Sequence, residues 1–441
     1  MRHLLIFALA TAVFACSEPA SKPGSGDTGS APDTATRGDS GEPPADSATP
    51  ADTAPADTAA PTDTEADSAA PEDSASPPDT TLPEDTAVET DTADTAAPPE
   101  SAPWLVLDGV IYHQGAPAQI RGVNWFGMET SDHAPHGLWS GRTVADFVAQ
   151  VSELGFNALR LPLSPGSIRP GFETSGWAQT AGYATGREAL EAVLIETQKI
   201  GLWVLLDYHS CNDDHGTEQV PTPDGCPGAT LQQWHEDLQT LAELGLTYDN
   251  VLGIDLFNEP YGLTWANWSA MAAEAAAAVL ATNPNLLIFV QGVANESDNA
   301  GYKAFWGGNM VEATIAPPDI PADRLVYSPH VYGPSVTDMP YFSADDYPLN
   351  LPKIWQAHFA HLHAAGFAVI TGEFGSRYNE TSVPGSVAWQ DAWITFMVQT
   401  GQTDFFYWAL NANTGAITGI LENDWLTPDA DIMSALAPLL E

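Results

Sequence analysis

The chain has 441 residues, with 13 Lys and Arg against 58 Asp and Glu and a formal charge of −45. That balance excludes a phosphate-binding surface, which needs clustered Lys and Arg to displace counterions, so no nucleic-acid partner is expected. The acidity is spread along the chain: residues 17–102 carry 20 acids and 2 bases, and residues 103–441 carry 38 acids and 10 bases. Both parts repel anionic polymers and membrane surfaces, which favours a neutral or cationic ligand.

At the N-terminus, Arg2 and His3 precede an apolar run over 4–15, too short for the roughly 20 residues that span a bilayer. Residues 1–15 therefore read as an export signal. The run ends Val13-Phe14-Ala15-Cys16, which resembles a bacterial lipoprotein cleavage box, so Cys16 is expected to carry lipid and to be the only membrane contact. Lipidation of Cys16 explains why an exported chain has three cysteines. Cys211 and Cys226 are left either as a disulfide across one loop or as free buried thiols. Residues 16–102 form a linker that cycles through Asp-Thr-Ala and Asp-Ser-Ala with interspersed Pro. With no Phe, Trp, Tyr or His it cannot build a core, and it is expected to be a disordered tether. A Gly24–Gly29 match to the dinucleotide fingerprint falls in this linker without a strand or helix around it, and no cofactor is expected.

All 14 Trp lie beyond this point, in a region of 103–441 large enough for one big domain. Residues 104–118, with Asp108-Gly109 as the turn, read as a small β-hairpin. Eight short apolar runs follow, at 119–124, 156–161, 202–207, 251–257, 286–290, 324–328, 368–371 and 404–408. Helical patterns separate them, clearest at 190–200, 231–244, 268–280, 354–365 and 387–399, while the segment after the fifth run reads poorly as a helix. The spacing is about 41 residues per unit. Evenly repeated β–α units of this size predict an α/β fold, a (β/α)8 TIM barrel running from the hairpin to the C-terminus.

Polar residues gather where these runs stop: Asn124, Arg160, Asp207 and His209, Asn258 and Glu259, His330 and Tyr332, Glu373, and Trp408. In a parallel barrel these ends converge on one face, where barrel active sites lie. Glu259 and Glu373 each close a strongly apolar run and stand 114 residues apart, which places them across the mouth. Two carboxylates flanking a substrate are the requirement for glycosidic bond hydrolysis. Trp125, Trp139, Trp306 and Trp408 lie in or beside the presumed upper loops, as sugar platforms or as core. No H-E-x-x-H occurs, and His358, His361 and His363 lie on a helix without nearby acids, so no metal is expected. The absence of G-x-S-x-G argues against a serine hydrolase of the usual α/β type. His209 reads as a hydrogen-bonding site residue, and Cys211, Asp213, Asp214 and His215 as parts of a disulfide-held loop.

At these residues the sequence resembles glycoside hydrolase family 5, the cellulase family. The resemblance is carried by Arg121-Gly122-Val123-Asn124-Trp125-Phe126-Gly127 with Glu129-Thr130, and by His136-Gly137-Leu138-Trp139. It continues in Leu159-Arg160-Leu161-Pro162, Phe257-Asn258-Glu259-Pro260 and Gly372-Glu373-Phe374-Gly375. Phe305-Trp306-Gly307-Gly308-Asn309 and Gly419-Ile420-Leu421-Glu422-Asn423-Asp424-Trp425 are similar to the bacterial endo-β-1,4-glucanase branch. The resemblance implies a retaining endoglucanase acting on cellulose or a related β-glucan. It makes Glu259 the general acid/base, with Asn258 holding the sugar 2-hydroxyl, and Glu373 the nucleophile. Arg160 would hydrogen-bond Glu373 and keep it ionised, Tyr332 would orient it, and His209 and His330 would contact substrate or position Glu259. Trp408 would be the platform beside the scissile bond, and Trp125, His136 and Trp139 would bind the non-reducing side. A monomer is expected. The alternatives are the same machinery on mannan, xyloglucan or mixed-linkage glucan, and a saccharide-binding surface lipoprotein without catalysis.

Overall fold

The computed structural model describes residues 102–213, 220, 226, 229–294, 301–378 and 383–441. The export signal, Cys16, the linker up to residue 101, Asp214 and His215 lie outside the described residues. The described residues form one compact unit.

A three-stranded antiparallel sheet opens it: β1 (Trp104–Leu107), β2 (Val110–His113) and β3 (Ala116–Pro117). Asp108 and Gly109 make the first turn, both with positive φ (51° and 75°), the tight hairpin geometry that Asp-Gly favours. Then come β4 (Arg121–Asn124), α1 (Val144–Glu153), β5 (Ala158–Leu163), α2 (Pro165–Ile168), α3 (Gly176–Thr180), α4 (Gly186–Ile200) and β6 (Trp203–Tyr208). These are followed by α5 (Leu231–Thr247), β7 (Val251–Asp255), α6 (Trp265–Thr282), β8 (Leu287–Val290), β9 (Leu325–Tyr327) and β10 (His330–Tyr332). The chain ends with α7 (Leu351–Trp355), α8 (His361–Ala364), β11 (Ala368–Val369), β12 (Thr371–Gly375), α9 (Ser386–Thr400), β13 (Phe405–Tyr407) and α10 (Ala430–Leu440).

The second sheet is wholly parallel, in the order β10-β12-β13-β4-β5-β6-β7-β8-β9-β11. Its two ends are halves of neighbouring strands: β9 and β10 flank Ser328-Pro329, β11 and β12 flank Ile370, and β9 pairs with β11 as β10 pairs with β12. The ring is therefore closed, and its eight strands are the predicted barrel. The sixth run, expected at 324–328, is β9, and beyond Pro329, which has no N–H for the ladder, the strand resumes as β10; the seventh run, expected at 368–371, is divided at Ile370. The helix expected at 354–365 is likewise divided, by a π-helical segment at Gln356–Ala360 between α7 and α8. Four helices went unread: α1, the short α2 and α3, and α10. Among the described residues after β8, none is helical before β9, as expected.

Alternation along the strands builds two cores. Ala158, Leu205, Leu287, Phe289, Val326 and Phe406 fill the barrel interior with Ile120 and Leu252, and Trp104, Val106 and Ile111 of the hairpin pack against that cluster and plug one end. Their neighbours Leu159, Val204, Leu206, Ile288, Tyr327 and Phe405 face outward onto the helices. Gly122 carries no side chain because the Phe406 ring occupies the place of its Cβ. Continuing the inward columns toward the strand ends reaches Asn124, Arg160, Asp207, Gln291 and Trp408. The apolar columns thus lead into a cluster of polar groups at this end, and that end is the site.

Candidate active site

One cation organises the barrel mouth. Arg160, fully buried on β5, donates through Nη1 to Glu373 Oε1 (2.6 Å) and to Asn124 Oδ1 (2.9 Å). Its Nε and Nη2 donate to Asp255 Oδ2 (3.2 and 3.1 Å), and Nη2 also reaches Asn258 Oδ1 (3.0 Å) and Asp207 Oδ2 (3.1 Å). One guanidinium thus serves three carboxylates. Burial outweighs it for two of them and raises both Asp207 and Asp255 to about 7.

Two of these acids are aimed by bulges. β7 holds one extra residue against β6, since Val204 pairs with Val251 but Leu205 pairs with Gly253. Strict alternation from inward Leu252 would turn Asp255 outward; the extra residue turns it in. β12 likewise advances by one residue against β13 between Thr371 and Phe374, which brings Glu373 inward and sends Phe374 to the outer core.

Glu373 also accepts the Tyr332 hydroxyl at Oε2, and His330 Nδ1 lies 3.4 Å from the same oxygen. Glu259, just beyond β7, has its backbone in the left-handed region (φ 48°), and its Oε1 is 2.9 Å from His330 Nδ1. Burial pushes Glu259 up to about 7, opposed by the lesser pull of His209 and Arg160. Burial pushes His330 down to about 3, so its imidazole is neutral. Among the described residues its Nε2 has no partner and its Nδ1 faces two carboxylates, which assigns the proton to Nδ1, donated to Glu259. His209 Nδ1 donates to Asp207 Oδ2 (2.6 Å), leaving Nε2 to accept from the Asn258 amide (3.4 Å).

A carboxylate oxygen of Glu259, one of Glu373 and a ring nitrogen of His330 all lie within 4.8 Å of one another. Among the described residues these three are also the one set of ligand types close enough to share an ion. Each is already engaged, by His330 for Glu259 and by Arg160 and Tyr332 for Glu373. The pair is chemically unequal: Glu373 is buried and faces a guanidinium and a phenol, whereas Glu259 is partly buried without a direct cation and holds its proton near neutral pH. Such a pair can protonate a leaving oxygen while attacking the carbon it leaves.

Of the aromatic residues, Trp408 stays partly exposed, with Phe126 (5.4 Å, 7°) and His209 (5.9 Å, 19°) parallel to it. Trp139 is 44% exposed and meets Trp177 and Trp425 edge-on. Trp306, 48% exposed, stacks on Tyr261. Trp125 corrects the sequence reading: it is fully buried against Phe147 and donates its indole N–H to the His136 carbonyl, so neither face is open to a sugar. His136 is also nearly buried, with ring nitrogens on Asp132 (3.0 Å) and Asn413 (3.2 Å), and it braces Trp139 at 5.1 Å. Cys211 and Cys226 form a disulfide. Nearby, Asp213 ties this loop to His133 (3.0 Å) and Ser164 (2.9 Å).

Two buried polar residues at the mouth, Asp255 and Gln291, escaped the sequence reading, and a third, Glu129, was quoted only within a motif and given no role. Asp255 was hidden by the β7 bulge. Gln291 continues the inward column of Leu287 and Phe289, a phase that could have found it. Glu129, in the loop after β4, accepts the Gly127 N–H (2.7 Å), and burial raises it to about 8.

A closed parallel barrel with two facing carboxylates at its strand ends defines a fold and site of the glycoside hydrolase type. Residues 114–414 match the model of the cellulase family, glycosyl hydrolase family 5. The major extracellular endoglucanase of Xanthomonas campestris is 37% identical over 75% of this chain and 69% of its own length. An endoglucanase of Paenibacillus polymyxa is 32% identical over 74% of this chain and 85% of its own. Among solved structures, the endocellulase of the archaeon Pyrococcus horikoshii superposes with a TM-score of 0.72 at 33% identity, over 77% of this chain and 99% of that one. A complex of that endocellulase with cellotetraose matches at 34% identity with the same TM-score, over 78% of this chain and 100% of that one. The chain belongs to glycosyl hydrolase family 5, the cellulase family.

Proposed function

We propose that this chain is a retaining endo-β-1,4-glucanase that cleaves cellulose or a related β-glucan, with Glu373 as nucleophile and Glu259 as general acid/base. The observation that carries the mechanism is the approach of the two carboxylates to within 4.8 Å. Retaining enzymes need carboxyl groups about 5–5.5 Å apart, whereas inverting ones leave about 6.5–9.5 Å for a water between them. Sugar binds with its anomeric carbon over Glu373 and its glycosidic oxygen against Glu259. Glu373 attacks the carbon as Glu259 gives its proton to the departing oxygen. Glu259, now a carboxylate, takes a proton from water, whose oxygen displaces Glu373 and restores both groups. Asn258, fixed by Arg160 and facing His209, is placed to hold the 2-hydroxyl. Trp408 offers the flat face beside the scissile bond, and Trp139 extends the cleft on the non-reducing side with His136 as its brace.

The test is viscosity and reducing ends on carboxymethylcellulose, mannan and xyloglucan, with Glu259→Gln and Glu373→Gln as controls. A fast viscosity drop on the cellulose derivative, absent in both variants, with β-configured first product by NMR, is the expected result. Preference for mannan or xyloglucan would reassign the substrate, and folded protein that binds glucan without cutting it would move the reading to a binding lipoprotein. Among the described residues no helix is long and apolar enough to cross a membrane. The Xanthomonas relative is named as extracellular. That name and the leader sequence support export, with lipid on Cys16 as the anchor and the acidic segment up to residue 102 as a tether. Metabolic labelling with palmitate, lost in Cys16→Ser together with release of activity to the medium, checks it.

A further inference from the structure

The geometry points to Gln291 as a positioning residue for Glu259, acting through the Glu259 backbone and anchored by Asp255. The inference rests on the assignment of Glu259 as acid/base. Glu259 stands in a backbone region that a residue with a side chain adopts only when its surroundings impose it (φ 48°). Its N–H is donated to Gln291 Oε1 at 2.8 Å. The Gln291 amide cannot turn over, because its Nε2 is held by Asp255 Oδ2 (2.8 Å) and faces Asn258 Oδ1 (3.4 Å). A flipped amide would set its oxygen against two acceptors and its NH2 against the Glu259 N–H. The Gln291 backbone is held as well, its carbonyl accepting the Trp268 indole N–H at 2.8 Å.

Gln291 is fully buried, so its side chain touches no substrate. What it controls is where the Glu259 carboxyl points. Asp255 in turn receives two bonds from Arg160, the same guanidinium that holds Glu373. The two catalytic carboxylates are thereby placed from one buried frame, the nucleophile directly by Arg160 and the acid/base by way of Asp255 and Gln291. Without Gln291 the Glu259 peptide is free to leave the left-handed region, and its carboxyl leaves the glycosidic oxygen. Misplacement of a reacting group by about 1 Å costs on the order of 100-fold in rate.

The test compares substrates that differ in their need for an acid. For Gln291→Met, kcat/KM on cellotetraose, whose leaving sugar must be protonated, is expected to fall about 10- to 100-fold. On 2,4-dinitrophenyl β-cellobioside, whose leaving group departs unprotonated, kcat/KM reports the same glycosylation step and is expected to fall less than about 3-fold. Equal losses on both substrates, or no loss on either, would overturn the proposal. If Gln291→Met does not fold, Gln291→Glu decides. Its new carboxyl still accepts the Glu259 N–H but faces Asp255 and Glu259, with Arg160 behind them, and can bond Asp255 only when protonated. Its deficit on cellotetraose relative to the native enzyme should shrink as pH falls, and a deficit independent of pH overturns the proposal. Glu259→Ala on the aryl substrate, with and without azide, separates this from failure of the acid/base assignment: absent azide rescue removes Glu259 from that role whatever Gln291 does.

Discussion

Glu259 and Glu373 share a cleft, and their neighbours set them apart. Glu373 faces Arg160 and Tyr332, whereas Glu259 faces a neutral imidazole and low-dielectric walls that lift it to about 7. An acid must hold its proton to give it away, so kcat/KM is expected to be flat below about pH 7 on its basic side and to fall about tenfold per unit above it. A pH profile on cellotetraose checks this; a basic limb near the ordinary glutamate value would show that burial does not hold the proton. Both carboxylates were legible in the sequence because each ends an apolar run. Trp125 was misread for the same reason: it follows β4 directly, but its ring turns down onto Phe147 while Phe126 takes the place beside Trp408. Nothing in a one-dimensional pattern distinguishes those two adjacent rings.

At the level of elements, the strands could be placed because inward residues in a barrel are apolar until the last one or two. Phase failed where a bulge intervenes: Asp255 lay inside an apolar run and, counted from Leu252, on the wrong face. Glu373 sits beyond a similar bulge and was found only because it ends its run. The unread α1 has a different cause. Its apolar residues Val144, Phe147, Val148 and Val151 are few, but its start carries a capping box, with Asp146 N–H donated to Thr143 Oγ1 (3.2 Å) and Thr143 N–H to Asp146 Oδ2 (2.8 Å). Thr143→Ala removes the Oγ1 that accepts the Asp146 N–H, while the backbone N–H of residue 143 keeps its bond to Asp146 Oδ2. Thr143→Ala is expected to cost about 1 kcal/mol of stability, with kcat unchanged because the cap is exposed and bonds only within the helix start. Urea unfolding and a single activity assay check both halves, and a fall in kcat without a shift of the midpoint would contradict the division.

Across the whole molecule the same burial that tunes the site sets a pH dependence of stability. Glu129 (about 8), Asp207, Asp255, Glu259 and Asp404 (each about 7) all have folded values above those of the free side chains, with desolvation as the largest cause in every case. Through these five groups the folded chain binds more protons than the unfolded one between about pH 4 and 7, while the histidines that burial holds neutral, His330 foremost, act in the opposite sense. The stability that these five groups contribute is fully present below their unfolded values and is lost as pH rises through the folded ones, by up to about 1.4 kcal/mol per unit for each group. The charge of −45 acts in the same direction, since every proton lost adds to self-repulsion. Asp404 isolates the effect from catalysis, because it sits just before β13, at the end of the barrel away from the mouth, and accepts the Ile120 N–H at 2.6 Å. Asp404 is half-buried, and burial is the largest cause of its raised value. Asp404→Asn keeps the accepting oxygen and removes the charge that burial opposes. It is expected to be nearly neutral at pH 5 and stabilising by about 1 kcal/mol or more at pH 8. Urea unfolding of both proteins at the two pH values measures the difference, and a gap that does not widen with pH would mean that Asp404 is ionised in the fold at no cost. The acidic linker, with few apolar side chains to lose on unfolding, should leave that difference unchanged when it is removed.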